Sequence, residues 1–89
     1  MIFILLLKFK KKVTKEVIDQ LNQSRDALGK VGAKILGTYW TLGRYDTVTI
    51  VEAKDEKAYM KMVLGGDLEL ASYETMVAVT REEAVKMIG

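Results

Sequence analysis

Tyr39-Trp40-Thr41-Leu42-Gly43-Arg44-Tyr45-Asp46 joins two apolar runs and holds the only Trp of the chain together with two of its four Tyr. A Gly-containing connection of this length is a common link between antiparallel strands, so the stretch predicts a tight corner with aromatics beside it. The flanks agree with that reading. Upstream, Ala33 to Thr41 reads as a strand with Ile35, Gly37 and Tyr39 on one face and Leu36, Thr38 and Trp40 on the other. Downstream, Asp46 to Ala53 is rich in β-branched residues, with Val48 and Ile50 opposing Thr49 and Val51.

Further out, Ile2 to Phe9 is nearly continuous in apolar residues, the pattern of a strand covered on both faces. Thr14 is placed to cap a helix running to about Val31, along which Val17, Leu21, Ser24, Leu28 and Val31 form one stripe. Gly32 suits the left-handed position past its end. Asp55 is placed to cap a shorter helix from Glu56 to Leu64, stopped by Gly65-Gly66, and Leu68 to Val79 alternates loosely as a fourth strand. Thr80-Arg81-Glu82-Glu83 has capping-box spacing, which predicts a last short helix to about Ile88.

The order strand, helix, strand, strand, helix, strand is the ferredoxin-like βαββαβ plan, an α+β fold with a four-stranded antiparallel sheet. Right-handed crossovers put both main helices on one face of that sheet. The other face is then bare in a monomer and carries apolar residues of the first strand. A homodimer, or a higher homo-oligomer built from dimers, is the expected cover.

Composition narrows the chemistry. The 89 residues make one domain, near the lower end of the size that holds a core alone. With neither Cys nor His, disulfides, the usual zinc sites and imidazole general bases are excluded. No cofactor is implied, and no carboxylate spacing resembles a calcium loop. The apolar N-terminus is far shorter than the ~20 residues of a membrane span and precedes its Lys cluster, the reverse of a secretory signal. The cytoplasm is the expected location. Charge is uneven: residues 1–45 carry nine Lys and Arg against three Asp and Glu, whereas residues 46–89 carry five against nine, a polarity that suits contact between subunits. Few Asn and Gln with many Lys and Glu fit a thermophile.

The segment YWTLGRYDTVTIVEA, Tyr39 to Ala53, resembles the signature of the GYD domain family, with Arg44 inserted to give Gly43-Arg44-Tyr45-Asp46. The resemblance extends over the whole chain. It implies a ferredoxin-like unit assembled as a dimeric α+β barrel, two sheets packed through their uncovered faces. It implies no particular activity, because the family is functionally uncharacterised and fold alone does not fix function.

Two groups of candidate residues stand beside structural readings of the same positions. Tyr39, Trp40, Arg44, Tyr45 and Asp46 would line a cleft for a small organic or anionic ligand, with Arg44 on the anionic group. The structural alternative has Trp40 and Tyr45 packing at the hairpin base, Gly43 permitting the turn and Asp46 accepting backbone bonds. Glu52 falls on the face of Val48 and Ile50, where burial would raise its pKa, or else it is an exposed strand-end carboxylate beside a Lys.

Three functions follow: a non-catalytic ligand-binding or accessory protein, a cofactor-free monooxygenase or isomerase using Tyr45 or Glu52, and an RNA-binding module. The enzyme requires a cavity between sheet and helices. Aliphatic central strands disfavour RNA, leaving Lys8, Lys10, Lys11, Lys12 and Lys15 as a solvated strand end.

Overall fold

A computed structural model describes residues 1–26, 32–64 and 70–89. Four strands form one antiparallel sheet: β1 (Ile2–Phe9), β2 (Ala33–Trp40), β3 (Thr47–Ala53) and β4 (Ala71–Ala78), in the order β2-β3-β1-β4. The helices are α1 (Lys15–Asp26), α2 (Glu56–Leu64) and α3 (Arg81–Ile88). This is the ferredoxin-like arrangement. None of the described helices is long and apolar enough to cross a membrane.

Each helix starts where a short polar side chain takes an otherwise orphaned backbone N–H. Thr14 Oγ1 accepts from Val17 N at 3.3 Å, Asp55 Oδ1 from Ala58 N at 2.9 Å and Thr80 Oγ1 from Glu83 N at 3.2 Å. The expected end of α1 near Val31, its stripe members Leu28 and Val31, and the Gly65-Gly66 stop lie outside the described residues. Gly32 has φ +76, the left-handed conformation expected of it.

Register sorts the sheet into two faces. Phe3, Leu5, Leu7, Thr47, Thr49, Val51, Ala53 and Ala71 share the face that α1 and α2 cover, and every buried residue of the sheet lies there. The core joins Phe3, Ala33, Val51 and Ala53 to Tyr59 of α2, whose ring stacks on Phe3 with centroids 4.2 Å apart. On the opposite, open face stand Ile4, Leu6, Val48 and Ile50, half-buried, with Tyr39 and Met76 exposed. The expectation that β1 is hidden above and below is met within one chain on the helix side only.

One strand departs from strict alternation. Between Ile35 and Gly37 the β2–β3 register slips by one residue, so that Ile35 pairs with Val51 whereas Gly37 pairs with Ile50. Two residues of β2 then stand against one step of β3, which is a β-bulge. Beyond it, Thr38 and Trp40 join Ile35 on the helix side, and Gly37 and Tyr39 face the open side. The alternation read from sequence, with Ile35, Gly37 and Tyr39 together, is corrected accordingly. A Cβ at Gly37 would lie 3.2 Å from the hydroxyl of exposed Tyr39, a side chain with room to yield.

Candidate functional site

The β2–β3 corner is held by backbone bonds around Asp46. Thr41 N donates to Asp46 O at 2.8 Å, and Asp46 N donates to Leu7 O at 2.8 Å. Phe9 N donates to the Asp46 carboxylate at 2.8 Å, and the Thr41 hydroxyl donates to Tyr45 O at 2.6 Å. Asp46 therefore pins the hairpin to the end of β1. Gly43 has φ +127, a conformation that L side chains avoid.

The six candidate residues do not form one cleft. Tyr39 and Trp40 are neighbours in sequence but project from opposite faces, as successive strand residues must. Tyr39 lies over Gly37 on the open face, whereas Trp40 stacks on Phe9 on the helix side, centroids 5.6 Å apart. The Arg44 guanidinium sits 5.8 Å from the Tyr45 ring centroid, and Arg44 O accepts from Lys8 Nζ at 3.3 Å. Tyr45 reaches across to β4 and donates its hydroxyl to Glu74 Oε2. Glu52 stands at the far end of β3, five residues and about 17 Å from Thr47. Its carboxylate is exposed and lies opposite Lys34 in the β2–β3 register.

The hydrogen bond to Glu74 raises the Tyr45 phenol above its ordinary pKa; burial and the carboxylate charge add to that, and Arg44 opposes it. A tyrosine whose folded-state pKa is raised contributes stability below about pH 10 and loses it as pH climbs through the folded value. Tyr45 thus works as a neutral donor at physiological pH. It is a strut between hairpin and β4.

A different set of residues lines a partly open hollow. Between the helix-side face of the sheet and α1 lies a cavity of about 220 Å³. Its walls are mostly apolar, with Leu5, Ile18, Leu21, Ile35, Val51, Met62 and Val63 among them, and Trp40 contributes its ring. Thr38, Thr47 and Thr49 are among the residues of the sheet floor. Gln20, Asn22 and Arg25, all exposed, supply polar groups from α1. Thr38 Oγ1 is buried and has no hydrogen-bond partner among the described residues.

Of the sequence candidates, only Trp40 borders this cavity. Thr38, Thr49 and Arg25 went unnoticed in the sequence. The available signal was a set of Thr residues at helix-facing positions of adjacent strands, and the bulge concealed it by reversing the face assigned to Thr38 relative to Ile35. Among the described residues no group of three or more Asp and Glu is placed to hold a metal ion.

Comparison with curated proteins returns no match. The sequence model of the GYD domain matches residues 3–88, from the second residue of β1 to the end of α3. With all of the sheet but Ile2 and the three described helices inside that match, the protein belongs to the GYD domain family.

Proposed function

We propose that this protein is a non-catalytic binding protein for a compact, largely apolar organic molecule, and that it works as a homodimer through the open face of its sheet. The cavity beneath α1 carries the first half of this reading. An engineered apolar cavity of about 150 Å³ takes up benzene, so about 220 Å³ corresponds to roughly nine non-hydrogen atoms. Predominantly apolar walls with a few convergent polar groups are the usual make-up of a ligand site. Acid–base catalysis finds less support, since Tyr45 and Glu52 stand away from the cavity and its described lining contains no carboxylate.

Trp40 makes the test direct, because the only Trp of the chain lines the cavity. Toluene, titrated into the protein, is expected to shift Trp40 emission and to give saturable binding by calorimetry. Leu21→Trp, filling the space from α1, should abolish the calorimetric signal while circular dichroism stays unchanged. Toluene binding that survives this filling would remove the cavity as the site.

Surface area supports the second half. The chain exposes 6603 Å², against about 5,200 Å² for a compact 10 kDa monomer, a surplus shared between the open face and α3, which buries no residue. The radius of gyration, 14.0 Å, likewise exceeds the roughly 12 Å of a compact chain of this length. Ile4, Leu6, Val48 and Ile50 form an aliphatic strip at the centre of the open face, with Tyr39 at its β2 side. Ile50→Glu is expected to convert a sedimenting dimer to monomer. A wild-type protein that sediments as a monomer at micromolar concentration would overturn the dimer and leave the cavity reading intact.

A further inference from the structure

One end of the molecule combines positive charge with a projecting apolar tip. Thr41 and Asp46 close the β2–β3 hairpin through their backbone bond, so Leu42, Gly43, Arg44 and Tyr45 lie beyond the last pair of the sheet. Leu42 is 104% exposed, its side chain clear of every neighbour. Phe9 N is bonded to the Asp46 carboxylate at that closing pair, so Lys10, Lys11 and Lys12 leave the sheet beside the tip. Residues 8–16 and 40–46 together carry six Lys and Arg against two acidic side chains, Glu16 and Asp46. Glu74, which reaches this end from β4, accepts from Tyr45. At the opposite end of the strands, Lys34, Lys54 and Lys57 are balanced by Glu52, Asp55 and Glu56. The charge is therefore polarised along the strand direction.

Apolar groups stand among these cations. Trp40, stacked on Phe9, and Val13, which follows the lysine run, are both exposed. A matching partner offers negative charge with an apolar layer directly beneath it. Nucleic acid supplies phosphates but leaves a projecting Leu side chain in water, and a folded acidic protein would need a socket cut to the tip. A bilayer with anionic headgroups supplies both layers at every point of its surface. We propose that this end docks on an anionic phospholipid surface, Leu42 entering the boundary between headgroups and acyl chains while Lys10, Lys11, Lys12 and Arg44 meet the headgroups. The attachment is peripheral, and it depends neither on the cavity nor on the dimer.

Co-sedimentation with vesicles tests the attachment. The protein is expected to bind vesicles of phosphatidylserine and phosphatidylcholine, to ignore pure phosphatidylcholine, and to be released by high salt. Replacing two charges together, Lys11→Gln with Lys12→Gln, should weaken binding about thirtyfold. Leu42→Ser should weaken it about tenfold and leave the urea midpoint unchanged, because that side chain touches nothing in the fold. The same change of charge at the opposite end, Lys54→Gln with Lys57→Gln, should leave binding at the parent value. Equal losses from the two pairs would reduce the attachment to net charge and overturn the assignment of this end, and full binding by Leu42→Ser would overturn the insertion. Capture of oligouridine without vesicle binding would make the partner a nucleic acid and overturn the proposal, as would binding to neither.

Discussion

Phe3→Ala is expected to lower the free energy of unfolding by about 3 to 5 kcal/mol, the range for truncating a buried aromatic. Phe3 is 2% exposed and stacks on Tyr59 with an interplanar angle of 15°, so its ring is the principal contact between β1 and α2. Removing it leaves a void that neither neighbouring strand can close, because β1 is paired on both sides. A domain of this length has a total stability of about 4 to 13 kcal/mol, so the loss is a large share of it. Urea unfolding followed by far-ultraviolet circular dichroism measures the change. Tyr59→Phe is the control: it keeps the stack and removes only the bond to Thr75, and should cost about 1 kcal/mol. A Phe3→Ala midpoint no lower than that of the control would contradict the packing described.

Asp46→Ala should cost about 1 to 3 kcal/mol, for a reason unrelated to packing. The Asp46 carboxylate accepts from Phe9 N at 2.8 Å, a charge-assisted bond to a backbone donor at the end of a central strand. Alanine leaves that donor unpaired in a partly buried position. Asparagine keeps an acceptor oxygen and should recover most of the loss. Amide exchange adds a local reading, since Phe9 N–H should lose protection in the alanine variant while amides at the middle of β1 keep theirs relative to global stability. Alanine and asparagine variants that behave identically would show the carboxylate to be dispensable at the hairpin.

The parts of the fold set by short-range chemistry were legible. Thr14, Asp55 and Thr80 cap their helices because a side-chain oxygen three residues ahead of a free N–H is a local arrangement that tertiary packing need not supply. The unbroken apolar run of β1 likewise fixed its central position. The site was less legible. Its floor is made by strands that meet only after the sheet forms, and the one-residue slip after Ile35 turns Thr38 to the face opposite the one alternation assigns. Residues that look like a cluster along the chain, Tyr39 to Asp46, are dispersed by the same pleat that gathers Thr38, Thr47 and Thr49.

The strand order also governs how the chain comes off the ribosome. Of the four strands β1 is made before the others, yet its neighbours are β3 and β4, and its final partner is completed only at Ala78. At about 5 to 20 residues per second, the apolar segment from Ile2 to Phe9 waits some 4 to 14 s for its last neighbour. Throughout that interval its apolar side chains await their final cover, and the three lysines after Phe9 place like charge at its end, the placement that opposes pairing between unfinished copies.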